Sequence, residues 1–228
     1  MAQPVRVAAL ALLVGLIAGP ATAATPVVVE LFTSQGCSSC PPANDLLAEL
    51  SRGKGIVALS FGVTYWDQLG WKDTFASPAY TRRQHDYATA LGKRGVFTPQ
   101  VVVNGRADAI GSRRSDVEAL IDTARSQPAG PPVTVTADRI TIGPGKPAHP
   151  ADVWLVRYDP RTVQVPIKRG ENGGRTLPHK NVVRSLVRLG GWNGAPTMIP
   201  LPPAQPGLET AVLVQAPDGG PILSATTP

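Results

Sequence analysis

The sequence predicts an α/β domain with a mixed sheet and flanking helices, followed by a small all-β, sandwich-like domain. Apolar runs of strand length alternate with helical patterns as far as Gln127. A stiff, proline-rich linker follows, and 8 of the 24 prolines precede residue 131 whereas 16 lie at or beyond it. The predicted boundaries are 1–23 for a signal peptide, 24–127 for the α/β domain, 128–132 for the linker and 133–228 for the β-rich domain.

The α/β domain begins with an apolar run at 26–32 that predicts a buried strand. Pro41 and Pro42 then open a helix, because proline is tolerated in the first helical turn, where its missing N–H would have had no partner. Leucines within 46–50 form the apolar face of this helix. A second apolar strand is predicted at 56–61.

A second helix is predicted from Ser77 to Leu91, since serine caps a helix and proline follows it at the first helical position. A third strand covers 96–103, and the Asn-Gly pair at 104–105 predicts a tight hairpin turn into a fourth strand. Ser112 is predicted to cap a final helix. The predicted order of elements is therefore β-α-β-α-β-β-α.

Beyond the linker, residues 133–142 alternate apolar and polar side chains, as a half-buried strand does. Further short strands are predicted at 153–158, 163–167 and 211–215. Residues 182–187 fit either a helix face or a strand, and their β-rich surroundings favour the strand.

Composition excludes several kinds of site. Of the 228 residues, 43% are hydrophobic and 17% are charged, which is enough apolar surface for a core. Two cysteines cannot form a four-cysteine zinc site or a scaffold with several disulfides. The net charge of +6 is scattered in short pairs without a basic block among aromatics, so no nucleic-acid partner is expected.

The first 23 residues have the pattern of a signal peptide. Arg6 precedes an apolar run at 7–19, and Ala21-Thr22-Ala23 is the small-residue pattern that a signal peptidase cleaves. The run is too short to span a bilayer as an ordinary helix. The alternative is a buried N-terminal helix. We expect a mature protein that starts near Ala24, is periplasmic or secreted, and has no stable membrane insertion.

The strongest chemical motif is Cys37-Ser38-Ser39-Cys40, between the first strand and the first helix. The positive end of a helix dipole favours thiolate at the first cysteine. Cys37 is therefore predicted to be an exposed nucleophile and Cys40 a shielded resolving thiol. The alternative is an inert structural disulfide, although closing so short a loop removes little unfolded-state entropy.

These motifs resemble the thioredoxin superfamily. The strand that leads into the cysteines and the later Thr98-Pro99 pair match its active-site and cis-proline loops. The resemblance implies a thioredoxin-like fold, a cis bond before Pro99 and a substrate chain that binds against Thr98 and Pro99. The sequence is more closely similar to a bacterial secreted family known as domain of unknown function 1223, through the segments 30–42, 65–71, 83–87, 98–105 and 181–184.

Glu30 is the one charge inside the first apolar run, seven residues before Cys37. Thioredoxins with this pattern keep a buried carboxylate beneath the disulfide. The resemblance therefore assigns Glu30 the role of general base for the Cys40 thiol. The alternatives are a glutamate at an exposed strand end or one that is paired with an arginine.

The segment that contains Trp66, Asp67, Trp71 and Asp73 is predicted to form a lid or a partner-binding wall beside the cysteines, with Trp66 and Trp71 contacting substrate. The alternative is packing of a long connection. His85 is a candidate copper ligand together with the two cysteines, although secreted copper chaperones usually carry a different cysteine spacing. His149 and His179 are expected to be solvated. No metal site and no cofactor are predicted.

Taken together, the residues predict an extracytoplasmic thiol–disulfide oxidoreductase. Its expected partners are protein thiols or disulfides and a redox partner that the sequence does not identify. The alternatives are a non-catalytic binding module of thioredoxin fold with a structural disulfide, and a metal chaperone.

Overall fold

The computed structural model describes residues 25–228, so the predicted signal peptide at 1–23 and its cleavage site lie outside the described residues. The first half follows the predicted order of elements. Its strands and helices are β1 (Val27–Thr33), α1 (Pro41–Leu50), β2 (Ile56–Gly62), α2 (Pro78–Ala90), β3 (Gln100–Val103), β4 (Ala107–Ile110) and α3 (Arg114–Arg125).

Local signals account for most of these boundaries. The Ser77 hydroxyl accepts a hydrogen bond from the Ala79 N–H, as expected of a helix cap. Asn104 and Gly105 both have positive φ angles, 48° and 61°, which is the turn that their sequence predicts. Arg113, not Ser112, occupies the capping position of α3.

The second half consists of strands, and more of them than the sequence predicts. The segment 133–142 is two short strands, not one, because a turn divides it. The strands are β5 (Val133–Val135), β6 (Arg139–Ile142), β7 (Ala151–Asp159), β8 (Val163–Pro166), β9 (Thr176–His179), β10 (Val182–Trp192), β11 (Thr197–Pro200), β12 (Glu209–Gln215) and β13 (Ile222–Thr226). The ambiguous segment at 182–187 belongs to strand β10.

Both halves contribute to one eight-stranded sheet with the order β13-β12-β7-β10-β2-β1-β3-β4. β1 is parallel to β2 and antiparallel to β3, and the second half joins where β10 runs parallel to β2. The expected boundary at 128–132 therefore does not separate two sheets. Val182 of β10 pairs with Ser60 of β2, and this long-range contact has no local sequence signal.

Apolar residues cover both faces of the sheet. Val29 and Leu31 of β1 pack with α1 and α3 on one face, whereas Val28 and Phe32 pack with α2 on the other. A three-stranded sheet of β11, β6 and β5 packs on β7 and β12 around the buried Trp192. β8 and β9 form a separate two-stranded hairpin.

Asn181 fastens the junction between the two halves. Its backbone carbonyl accepts a hydrogen bond from the Ser60 N–H at 2.9 Å, and its side-chain Nδ2 donates to the Ala58 carbonyl at 2.8 Å. The backbone of Asn181 has a φ of 52°, a left-handed conformation that asparagine adopts more readily than other non-glycine residues.

Within residues 25–228, no helix is both long enough and apolar enough to cross a membrane.

Replacing Asn181 separates the contribution of its side-chain hydrogen bond from that of its backbone conformation. Asn181→Gly keeps the positive φ but loses the buried hydrogen bond and should lower the free energy of unfolding by about 1–2 kcal/mol. Asn181→Ala should lower it by roughly 1 kcal/mol more, because alanine is strained at positive φ. Urea denaturation measures both values, and equal losses in the two variants would contradict the conformational contribution.

Candidate functional site

The two cysteines form a disulfide at the N-terminus of α1. Cys40 occupies the capping position, and its N–H donates to the Cys37 carbonyl at 3.2 Å, which closes the turn between them. Pro41 follows directly as the first helical residue. The Ser39 hydroxyl lies 3.3 Å from the sulfur of Cys37 and can donate a hydrogen bond to a thiolate there.

The prediction that Cys37 is exposed is wrong. Cys37 and Cys40 are both 0% exposed, whereas Ser38 and Ser39 between them face solvent. A distant segment also bonds to this turn, and the local sequence contains no signal of that contact.

That segment is the hairpin tip, residues 167–175, which joins β8 to β9. The buried Asn172 side chain donates from Nδ2 to the carbonyls of Gln35 and Cys37, at 3.0 and 2.9 Å. The Glu171 carboxylate accepts a hydrogen bond from the Ser38 N–H at 3.1 Å. Three hydrogen bonds therefore tie the hairpin tip to the cysteine turn.

Trp66 and the Thr98-Pro99 pair meet beside the cysteine turn. The indole Nε1 of Trp66 donates to the Thr98 hydroxyl at 2.8 Å. A Cβ placed on Gly36 would lie 3.4 Å from the Cβ of Trp66, so this tryptophan contacts the residue that precedes Cys37. The bond between Thr98 and Pro99 is cis, which confirms that prediction.

Trp71 contacts the same turn through Gln35. Its Nε1 donates to the side-chain oxygen of Gln35 at 2.9 Å, and Gln35 is fully buried. Trp71 and Phe75 also pack against Val165, Ile167 and Leu177 of the hairpin. Trp71 therefore touches both the cysteine turn and the segment that covers it.

Asp73 supports the same turn through backbone hydrogen bonds. Its carboxylate accepts hydrogen bonds from the backbone N–H groups of Gln35 at 2.8 Å and Phe75 at 2.7 Å. Burial raises the pKa of Asp73 to about 6, against these backbone hydrogen bonds, which lower it, and Asp67 adds a smaller upward effect. A carboxyl that titrates near neutral pH thus holds the residue two positions before Cys37.

Glu30 lies on the sheet face that α2 covers, because it alternates in step with Val28 and Phe32. The cysteines are at the end of α1, which packs on the opposite face. The Glu30 carboxylate is fully buried and accepts hydrogen bonds from Arg83 at 2.7 and 3.2 Å. These contacts match the arginine-paired alternative, and a general-base role for Glu30 stays a prediction.

A small polar network surrounds this ion pair. The Tyr87 hydroxyl donates to Glu30 and accepts from Arg83 and from Gln215 of β12, at 2.8 and 3.1 Å. Burial alone would lower the pKa of Arg83, but the Glu30 carboxylate beside it raises that pKa, so the guanidinium stays charged.

The three histidines differ in exposure. His85 and His149 are exposed, but the expectation that His179 is solvated is wrong. His179 is 2% exposed, because it lies in β9 edge-on to Phe75, and burial lowers its pKa to about 4. Across residues 25–228, no three His, Cys, Asp or Glu side chains cluster where they would hold a metal ion.

Several supports of the site carried no signal in the sequence. Gln35 and Asn172 are polar residues in loops, and the 137 positions between them hide their contact. Asp73 belongs to the segment with the tryptophans, but its pKa depends on burial that only the fold creates.

Comparison with known proteins gives one family and two similar structures. The family model described as a protein of unknown function, DUF1223, matches residues 28–215. The crystal structure of protein AGR_C_4864 from Agrobacterium tumefaciens has a TM-score of 0.77 and 34% identity, covering 91% of this chain and 95% of that one. HBP35 of Porphyromonas gingivalis has a TM-score of 0.59 and 15% identity, covering 90% and 75%, and is similar in fold alone. No curated protein sequence matches.

The raised pKa of Asp73 predicts a pH-dependent contribution to stability. The protonated carboxyl stabilises the fold fully below the ordinary value of 3.8, and this contribution is lost as pH rises through about 6. Asp73→Asn has no proton to lose. The free energy of unfolding of the wild type, minus that of Asp73→Asn, should therefore fall by about 3 kcal/mol from pH 3 to pH 7. Chemical denaturation across this range measures the difference, and a constant value would contradict the shift.

The buried ion pair predicts strong coupling between Glu30 and Arg83. Glu30→Gln or Arg83→Met leaves one charge buried without its partner and should cost about 3–5 kcal/mol of unfolding free energy. The double variant Glu30→Gln/Arg83→Met buries neither charge and should be more stable than the sum of the single losses predicts. A double-mutant cycle in urea tests this, and additive losses would contradict the coupling.

Proposed function

The chain belongs to the DUF1223 family of proteins of unknown function, and we propose that it is an extracytoplasmic thiol–disulfide oxidoreductase with Cys37 and Cys40 as its redox pair. The observation that carries the proposal is the placement of this disulfide. It lies at the N-terminus of α1, and Trp66, which contacts Gly36 next to Cys37, donates a hydrogen bond to Thr98 before the cis bond to Pro99. The extracytoplasmic location rests on the signal-peptide pattern at 1–23.

The thioredoxin-like part of the proposal rests on topology as well as motif. The order β-α-β-α-β-β-α over residues 27–125, with β1 between a parallel β2 and an antiparallel β3, supports it. The cysteines lie where the chain leaves β1 and enters α1, as the resemblance implies.

The proposed reaction is a thiol–disulfide exchange in two steps. A substrate thiolate attacks the sulfur of Cys37, a new bond forms between those two sulfurs, and Cys40 leaves as a thiolate that takes up a proton. A second substrate thiolate then attacks the substrate sulfur of this mixed disulfide. Substrate leaves as a disulfide, Cys37 leaves as a thiolate, and two electrons have passed to the protein. In reverse, the same steps reduce a substrate disulfide.

Two features favour Cys37 as the sulfur that is attacked and that leaves second. Its thiolate would lie at the positive end of the α1 dipole. The Ser39 hydroxyl is positioned to donate a hydrogen bond to it. Cys40 occupies the capping position of the helix, and two prolines follow it.

A non-catalytic binding module with a structural disulfide is the second candidate. Complete burial of both sulfurs is the observation that favours it, since a substrate sulfur must reach Cys37. The two candidates differ in the reduction potential of the disulfide and in whether either cysteine forms a mixed disulfide.

A redox-active pair should have a reduction potential between roughly −270 and −120 mV, whereas a structural disulfide should lie below about −300 mV. Equilibration with glutathione or dithiothreitol buffers measures this value. A potential below about −300 mV would leave the binding module as the function.

Replacing each cysteine tests the assignment of roles. Cys40→Ser should accumulate mixed disulfides through Cys37, because attack occurs and resolution does not. Cys37→Ser should accumulate far fewer, because the Ser39 hydroxyl lies beside the sulfur of Cys37 and stabilises a thiolate there. Non-reducing gels of periplasmic or secreted material, followed by mass spectrometry, give the comparison. Equal amounts from both variants, or none from either, would contradict the proposed mechanism.

A further inference from the structure

The hairpin tip is the feature that the proposed reaction leaves unexplained. It bonds to the cysteine turn from 135 positions later in the chain, and Cys37 and Cys40 are both fully buried. A buried disulfide cannot exchange with a protein sulfur until its cover moves.

We propose that Asn172 is a positioning residue that holds the hairpin tip closed over the Cys37–Cys40 disulfide, and that the pair reacts when this latch opens. The proposal rests on the proposed function, because a cover has a role in the reaction only if the disulfide exchanges. It adds a residue from the second half of the chain to the machinery of the site.

Asn172 has the geometry of a latch. Its side chain is 0% exposed, and Nδ2 donates to two carbonyls of the cysteine loop, those of Gln35 and Cys37. Its Oδ1 accepts a hydrogen bond from Nη1 of Arg175 at 2.7 Å, which fixes the orientation of the carboxamide. Both polar atoms of its side chain are therefore used, and water can replace each bond once the tip moves away.

The hairpin shares no strand pairing with the main sheet. β8 and β9 pair only with each other, and their buried apolar cluster consists of three residues, Val165, Ile167 and Leu177. A segment with so small a core belongs to the low-stability part of a protein and opens locally. Asn181, which fastens β10 to β2, comes after the hairpin and stays in place.

Glycines permit the tight path of the tip across the turn. Gly170 and Gly174 have φ angles of 77° and 82°, which side chains rarely adopt. Gly170 also lies against Trp71, since a Cβ added to it would be 3.3 Å from the Cβ of that tryptophan. The tip therefore packs directly against Trp71.

The rate at which a small thiol reduces the disulfide measures the latch directly. Dithiothreitol attacks Cys37, Cys40 leaves as a thiolate, and the reagent then closes into its own cyclic disulfide, so two electrons pass to the protein. The full chain is treated with dithiothreitol at pH 7, quenched with an alkylating agent at timed intervals, and its labelled thiols are counted by mass spectrometry.

Asn172→Ala and Asn172→Asp should both be reduced about tenfold faster than the wild type, because each removes two hydrogen bonds that hold the tip. Asn172→Asp keeps the shape and the acceptor for Arg175 but has no donor. Asn193→Ala, in an exposed loop of the same half, is the matched control and should be reduced at the wild-type rate.

A variant in the core of the first half distinguishes a specific effect on the hairpin tip from destabilisation of the whole protein. Ile121→Ala in α3 creates a cavity and should lower the melting temperature without touching the tip. If it accelerates reduction as much as the Asn172 variants do, reduction proceeds through unfolding and the proposal is overturned. Unchanged rates in both Asn172 variants would overturn it as well.

The reduction rate with dithiothreitol tests the latch separately from the proposed oxidoreductase activity. Faster reduction of the Asn172 variants, together with no mixed disulfides from Cys40→Ser, would support the latch and contradict the oxidoreductase. Mixed disulfides from Cys40→Ser together with unchanged reduction rates would support the oxidoreductase and overturn the latch.

Discussion

The parallel pairing of β10 with β2 is the constraint on which the rest of the structure depends. It makes one eight-stranded sheet from two halves that differ in composition and in secondary structure. Because β9 enters β10 through Asn181, the same pairing fixes where the β8–β9 hairpin lies. The hairpin packs on Trp71 and Phe75, and its tip bonds to the cysteine turn. The composition of the site is thus decided by a strand pair that lies outside it.

The cysteine turn is held by several elements at once. Asp73 accepts from the backbone of Gln35, Trp71 donates to its side chain, and Asn172 donates to its carbonyl. One buried glutamine therefore connects the long segment after β2 with the second half of the chain. These converging hydrogen bonds fix the backbone that carries the disulfide. The weakest of them breaks first, and we expect it to determine when the sulfurs become accessible.

The sequence predicts those parts of the fold whose causes are local. The cap at Ser77, the Asn104-Gly105 turn and the proline-led start of α1 each depend on residues within one turn of the chain. Contacts across more than a hundred positions leave no such pattern. The burial of Cys37, the position of Asn172 and the extension of the sheet by β10 all arise in this way, and so does the burial of His179.

The shared sheet also determines how this protein can be dissected. A fragment that ended at Gln127 would contain both cysteines and every helix, yet it would leave β2 without its neighbour. β2 is apolar and buried along almost its whole length, so its bare backbone groups would offer other chains a template for strand pairing. A fragment cut at this point would therefore expose an edge that the whole chain covers, and we expect it to self-associate. Loss of the second half during evolution would expose the same edge of β2.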